Sequence, residues 1–233
     1  MFMEFLIPFL QKCPLFCDLP LQVLIEQVLP YGKLKELSKD EYIIMPQDRV
    51  DKFGIIIRGN VHLLHMFHDG NYSILSSLDP HEIIGIDLIC TKNKISPYYA
   101  VSTTKTQILF FPSKILLTPG IIDEPHRLNV LNHLLTLVSH ENMKKFYRFA
   151  ILSQNGLRAR ITTYLTMQAN KAGSSTVHLP FSREEFASFL CVNRSALSHE
   201  LSLMQQEGII RVSNRTIMLL DWHNTSPHEF VVV

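Results

Sequence analysis

The chain has almost no excess charge of either sign. Its 22 lysines and arginines face 21 aspartates and glutamates, a formal net charge of +1 over 233 residues. That balance excludes a global field as the means of attracting nucleic acid or an anionic membrane, so any such partner has to be held by a local patch. Long apolar runs are missing too: none approaches the roughly 18 residues a membrane span needs, so no membrane partner is expected. The opening MFMEFLIPFLQK is apolar but has no basic n-region and no A-x-A-like cleavage site, and Glu4 and Pro8 interrupt it. It does not read as a signal peptide. Cysteine is sparse. Cys13, Cys17, Cys90 and Cys191 are widely scattered, mostly in apolar surroundings, which predicts buried, reduced thiols in a cytoplasmic protein. No GxSxG, HExxH, P-loop or GxGxxG pattern occurs and no nucleophile is paired with a base, so an enzyme is not expected. Internal repeats and low-complexity tracts are also lacking.

What is present suits a globular protein with sizeable cores: 46% of residues are hydrophobic and 18% charged. Residues 13–30, CPLFCDLPLQVLIEQVLP, predict a turn and a short helix with Leu21, Leu24, Ile25 and Val28 at helical spacing, ended by Pro30. From about 31 to 113 the periodicity changes. The runs YIIMP, FGIIIRG, VHLLHMF, YSILSSL, YYAVSTT and QILFFP alternate with turn signals, and Asp69-Gly70 between two of them predicts a hairpin. Many short strands at regular spacing predict a small β-barrel or roll.

Residues 125–155 return to helical periodicity. Leu128, Leu131, Leu135, Val138, Asn142, Lys145, Phe149 and Leu152 follow a heptad spacing. A seam of this kind on a helix of about 30 residues predicts pairing with a second copy of the chain; packing on its own barrel is the alternative. A further helix over 157–172, closed by Gly173, and a short strand over 176–181 follow.

The stretch SREEFASFLCVNRSALSHELSLMQQEGII, residues 182–210, carries two short helical patterns. Ser182 and Glu185 form a capping box for the first, with Phe186, Phe189 and Leu190 as its buried stripe. Asn193 caps the second. Val192 and Leu197 fit a hydrophobic staple, Leu197, Leu201 and Met204 face inward, and Gly208 ends the helix. Cys191 reads as part of a tight apolar turn between the two. Two capped helices joined by about three residues are the helix-turn-helix pattern. The outward face of the second helix carries Arg194, Ser195, Ser198 and His199, with Ser202 beyond. Arginine is suited to guanine because its fork matches two acceptors, and short serines allow close approach to a groove floor. Ser182, Arg183 and Asn193 at the helix starts are placed for backbone contacts. IIRVSNRTIMLLD predicts a hairpin turned at Ser213-Asn214, with Arg211 and Arg215 on or beside it as a wing. The tail after Trp222 is uninformative.

A β-roll, a long helix and a winged helix-turn-helix in that order resemble the Crp/Fnr family of bacterial transcription regulators. CPLFCDLP, IIIRGNVHLLHMFHDGNYSILSSLDPHEIIG and FSREEFASFLCVNRSALSHELSLMQQEGII carry the likeness, which covers roughly residues 10–221. It implies an α+β chain: a sensory, cyclic-nucleotide-binding-like double-stranded β-helix (jelly-roll-like) domain over 1–124, a dimerisation helix over 125–155 with Leu128, Leu131, Leu135, Val138 and Asn142 at its interface, and a DNA-binding winged helix-turn-helix over 156–233. It also implies a homodimer on palindromic double-stranded DNA, with RNA polymerase as a further partner, and base reading by Arg194, Ser195, Ser198 and His199. The last is commonly arginine in relatives, so the operator is expected to differ from theirs.

The effector side departs from that family. Members that bind cyclic AMP carry Gly-Glu and, about ten residues on, an arginine for the phosphate. Here Gly85 is followed by Ile86 and Asp87, and the segment with Ser96 and Tyr98 has no arginine. An anionic phosphate without that partner is costly to bury. Cyclic-nucleotide binding is therefore not expected, and an unidentified small-molecule effector is expected in a pocket at Gly85, Ile86, Asp87, Ser96 and Tyr98. The family's iron–sulfur branch clusters three cysteines near the N-terminus, whereas Cys13 and Cys17 stand without a third, so no cofactor is expected. A metal site is not expected either. Strand alternation sets His62 and His65 on opposite faces, with His68 and His81 beyond, and His126, His133 and His140 share a helix face off the Leu/Val seam, solvated or against the roll. The other reading of the whole chain is a small-molecule-binding module whose helix-turn-helix serves a protein contact.

Overall fold

The computed structural model describes residues 2–68, 70 and 72–220; Asp69 of the expected hairpin turn and the tail from Asp221 lie outside the described residues. The chain divides into two compact units, residues 1–143 and 144–233.

The first unit is a jelly-roll-like β-sandwich. Antiparallel β1 (Lys33–Leu37), β8 (Thr106–Pro112), β3 (Lys52–Arg58) and β6 (Ile83–Ile84) form one sheet in that order, and β2 (Tyr42–Ile44), β7 (Tyr99–Ser102), β4 (Val61–Met66) and β5 (Tyr72–Leu78) the other. The six apolar runs all become strands. β1 and β6 escape the pattern, because Lys33, Lys35 and Glu36 make β1 polar on an edge and β6 is only two residues long. β4 and β5 pair as the expected hairpin, with Leu75 left over as a bulge on β5 between Leu64↔Ile74 and Leu63↔Ser76. β4 itself stays in step with β7, so His62 and His65 keep opposite faces.

β3 is buried at five consecutive positions, Phe53 to Ile57. An unbroken apolar run suits a strand covered on both faces. Phe53 and Phe111 stack across the β3–β8 ladder, and Phe16 of the N-terminal segment packs on both rings. A Cβ at Gly54 would meet Ile108 Cγ2 at 2.5 Å, so only glycine lets β8 approach this closely.

The N-terminal segment differs from expectation. The apolar opening is a helix, α1 (Phe2–Lys12), and Leu6 and Leu10 join the sandwich core. α2 (Leu21–Val23) continues as a π turn and a 3-10 turn to Tyr31, so Pro30 sits inside the last turn and does not end the helix outright. Its buried side is Val23, Leu24 and Val28, whereas Leu21 and Ile25 are exposed. Short helices α3 (Ile86–Ile89) and α4 (Lys114–Leu117) lead to α5 (His126–Leu152), within which the division at 143/144 falls.

The second unit packs α6 (Leu157–Ala172), α7 (Arg183–Phe189) and α8 (Arg194–Gln206) around a sheet of order β10 (Ile210–Ser213), β11 (Thr216–Leu219), β9 (Thr176–His178). Gly173 closes α6 in the left-handed conformation. Ile161, Leu165, Phe186, Leu190, Leu197, Leu201, Met204 and Ile217 make its core. The β10–β11 turn is Asn214-Arg215, one residue later than expected: Ser213 is paired with Thr216, and Asn214 takes the positive φ. Only Cys13 of the four cysteines is buried; Cys17, Cys90 and Cys191 are exposed. Among the described residues no helix is long and apolar enough to cross a membrane.

Candidate nucleic-acid interface

The two helices of residues 182–210 are set by their caps. Ser182 Oγ accepts from the Glu185 N–H at 3.2 Å, and Glu185 Oε2 accepts from the Ser182 N–H at 2.6 Å, a complete capping box. Asn193 Oδ1 accepts from the Ala196 N–H at 2.7 Å and from the Ser195 hydroxyl at 2.8 Å. Ser195 is thus part of the cap, and its oxygen is left to accept. Between the helices Cys191 has φ +58° and is exposed. It turns the chain between the helices as expected, but through its backbone, with the side chain exposed and not apolar-packed.

α7 ends under two arginines that spacing did not flag. Arg148 donates to the Phe189 carbonyl at 3.3 Å and stands over the Phe189 ring at 4.9 Å, and Arg160 donates to the Leu190 carbonyl at 3.2 Å. Cations at the carbonyl end of a helix satisfy its orphan acceptors and its dipole. Burial lowers the pKa of the Arg148 guanidinium.

α8 turns Leu197, Leu201 and Met204 inward. Arg194, Ser195, Ser198, His199 and Ser202 are all exposed. Ser202 spends its hydroxyl hydrogen on the Ser198 carbonyl at 2.9 Å. Acidic groups on or just past this helix would repel phosphates, yet both are spoken for. Arg158 of α6 donates from Nε to Glu200 at 2.6 Å and through its two terminal nitrogens to both Glu207 oxygens at 2.6 and 2.9 Å. The paired guanidinium lowers the Glu207 pKa, and the two carboxylates raise that of Arg158. Gln205 Oε1 accepts from the Val212 N–H at 2.9 Å and ties the helix to the wing.

Where α7, α8 and the wing converge, a cleft of about 670 Å³ opens, lined by Ser182, Arg183, Arg194, Asn214 and Arg215 over Leu179 and Phe181. Three guanidinium groups face a single carboxylate there, that of Glu184. Arg183 donates from one terminal nitrogen to the Asn214 carbonyl at 3.2 Å, while its Nη1 is buried without a hydrogen-bond partner among the described residues. Burial also lowers the Arg183 pKa. An unsatisfied charged donor in a cationic cleft suits an oxyanion. Arg211 is exposed on β10.

In the first unit, Gly85 caps α3 at φ +79°, and Ile86 is buried. Asp87 accepts from the Tyr98 hydroxyl at 2.9 Å and from the Leu88 N–H at 3.0 Å, and Ser96 Oγ donates to the Tyr98 carbonyl at 2.8 Å. Burial and the adjacent Asp87 charge raise the Tyr98 pKa. Asp87, Ser96 and Tyr98 therefore form one closed hydrogen-bonded group. The group presents the Asp87 carboxylate at the turn, and Lys94 is engaged with Asp51 and Ser113.

On α5, Leu128, Leu135 and Asn142 are exposed, as are Phe146 and Phe149 below them. Leu131 and Val138 are half-buried against the sandwich core. The heptad seam thus splits within one chain, its a/d neighbours serving two different surfaces.

Two family models match the chain: a cyclic nucleotide-binding domain over residues 34–118 and a Crp-like helix-turn-helix domain over residues 159–224. The nitrogen fixation regulation protein FixK of Bradyrhizobium diazoefficiens is 22% identical over 195 residues, covering 82% of this chain and 79% of FixK. The structure of FixK2 from Bradyrhizobium japonicum has a TM-score of 0.61 at 19% identity, covering 82% of this chain and 94% of that one. The c-di-GMP-responsive global regulator CLP of Xanthomonas campestris has a TM-score of 0.64 at 15% identity, over 84% and 97%. At these identities the solved structures share the fold.

Proposed function

Because the chain belongs to the Crp/Fnr family of transcription regulators, we propose that it acts as a homodimer that reads a palindromic operator through α8. The observation that carries this reading is the face of α8. Its small polar groups and Arg194 are exposed, while the Arg158 clamp neutralises Glu200 and Glu207. Arg194 reads guanine bidentately, with Ser195, Ser198 and His199 flanking it. Ser182, Arg183, Asn193, Arg211 and Arg215 grip phosphates on either side.

Leu128, Leu135 and Asn142 pair with their copies along α5, and Phe146 and Phe149 extend the apolar face. Two-fold pairing places the recognition helices one duplex turn apart, about 34 Å. An effector at the sensory half regulates by binding one arrangement of the paired helices better than another. The Asp87–Tyr98 group argues that it is not a cyclic nucleotide. Duplex DNA, the second copy and RNA polymerase at the promoter are the macromolecular partners, all in the cytoplasm.

Genomic footprinting of the wild-type protein identifies the operator. A gel shift on that fragment, repeated across a salt series, then tests the reading: wild type binds with a steep salt dependence. Equal binding of operator and random duplex by the wild-type dimer would refute it.

A further inference from the structure

His133 of α5 meets the N-terminal segment inside the first unit. Its Nδ1 lies 3.3 Å from the Leu15 carbonyl oxygen and its Nε2 lies 3.1 Å from an Asp18 carboxylate oxygen. A carbonyl can only accept, so Nδ1 carries the ring hydrogen in that contact. Nε2 then holds either a second proton or a bare lone pair. A proton there pairs with the carboxylate directly, whereas a lone pair there is a donor for a cation held by both groups. The Cys17 thiol stands beside the pair: one ligand atom from each of Cys17, Asp18 and His133 lies within 4.8 Å of the other two.

We infer that Cys17, Asp18 and His133 form a binding site for a divalent transition metal ion of the zinc class. Thiolate, imidazole and carboxylate are all zinc donors, whereas calcium and magnesium take oxygen alone. Tetrahedral zinc with bonds of about 2.0–2.3 Å spaces its ligand atoms roughly 3.3–3.8 Å apart. His133 and Asp18 already stand near that spacing at 3.1 Å, and the exposed Cys17 side chain lies within 4.8 Å of both. The Leu15 carbonyl supplies the outer acceptor that fixes the tautomer of a ligating histidine and aims its Nε2 at the ion. Cys17 and Asp18 are exposed, so a water completes the coordination. The bound ion bridges the segment 15–18 to α5.

Zinc takes cysteine as the thiolate, so binding displaces the thiol proton. The site lies outside the DNA-reading surface and is read without DNA, so its test is separate from that of operator recognition.

The test uses the full chain, stripped by a chelator, dialysed under reducing conditions and titrated with zinc against a chromogenic chelator, then with cobalt(II). The expected result is about one ion per chain, a thiolate-to-cobalt charge-transfer band in the near ultraviolet, and release of roughly one proton per zinc. Cys17→Ser removes the charge-transfer band. His133→Gln weakens zinc binding by about tenfold or more, and Cys90→Ser changes neither. Circular dichroism reports whether each variant is folded. If His133→Gln is not, Asp18→Asn at its exposed position takes its place and must weaken binding likewise. Failure of the wild-type chain to bind zinc stoichiometrically, or retention of the cobalt band in Cys17→Ser, overturns the assignment.

Discussion

Replacing both Leu128 and Leu135 with glutamate is the sharpest test of pairing through α5. The two leucines are 53% and 66% exposed in one chain. Fully burying a leucine side chain contributes about 1.5–3 kcal/mol, so the uncovered fractions leave roughly 0.8–1.6 and 1–2 kcal/mol for a second copy to recover. Two-fold symmetry doubles the sum to about 4–7 kcal/mol per dimer. At 1.4 kcal/mol per decade, losing it weakens dimerisation by roughly 10³- to 10⁵-fold. Desolvating four new carboxylates adds to this, so the range is a floor. Glutamate and leucine have similar helix propensities, and neither position is among the buried or half-buried core residues, so each chain should stay folded. Leu131 and Val138 would confuse the experiment, because they already pack on their own core. Sedimentation velocity over a dilution series from high micromolar to nanomolar measures the shift, with circular dichroism as the control for helix content. A folded double variant that dimerises as tightly as wild type would show that the exposed stripe is not the interface.

Four further outcomes follow from the same structure. Arg194→Ala removes one guanine contact from each half-site, so it should weaken operator binding by about 2–6 kcal/mol, roughly 30- to 10⁴-fold, and leave binding to random duplex nearly unchanged; a gel shift with both probes checks it. Ser182→Ala removes the acceptor of the capping box and should lower stability by about 1 kcal/mol, seen as an earlier urea midpoint with an unchanged slope. Burial pushes the Cys13 thiol up to about 11. A folded pKa above the unfolded value means stability is fully present below the ordinary thiol pKa and lost as pH rises towards 11, by at most about 1.4 kcal/mol per pH unit. Urea unfolding of wild type against Cys13→Ala between pH 8 and 11 should show the two converge as pH rises. A thiol reagent at neutral pH should meanwhile label Cys17, Cys90 and Cys191 and spare Cys13 until the chain unfolds.

How much could be read from the sequence depended on the range of the interaction. The capping box, the Asn193 cap, the Leu197/Leu201/Met204 stripe and the Asp69-Gly70 hairpin join residues a few positions apart, and propensity and periodicity report on just those distances. The Arg158 clamp joins residues 42 and 49 positions apart, and the Arg148 contact with Phe189 spans 41. No spacing rule reaches that far. β1 was hidden for a different reason: an edge strand with lysine at alternate positions protects the sheet from pairing with other chains and so carries little apolar signal. α1 is obscured because Glu4 and Pro8 interrupt its apolar run, and the contacts that bury Leu6 and Leu10 come from the sandwich core. Cys191 was misjudged because residue type suggested burial, whereas its place is set by a backbone turn with positive φ.

The turn at Gly85-Ile86-Asp87 separates what the backbone requires from what the side chains do. Gly85 takes the left-handed conformation that starts α3. The side chains around it answer to a different constraint. Ile86 turns into the core at 4% exposure, where a carboxylate would need a bound partner to offset its desolvation. Asp87 takes its hydrogen bond from Tyr98, and Ser96 holds the Tyr98 backbone. Asp87, Ser96 and Tyr98 thus take their hydrogen bonds from one another. A phosphate would have to break the Tyr98–Asp87 bond and then face the freed carboxylate with no arginine to offset it. Tyr98→Phe, which frees Asp87 without adding a cation, should therefore not confer cyclic-nucleotide binding in calorimetry; tight binding by that variant would show that the hydrogen bond, and not the missing cation, is what excludes the nucleotide.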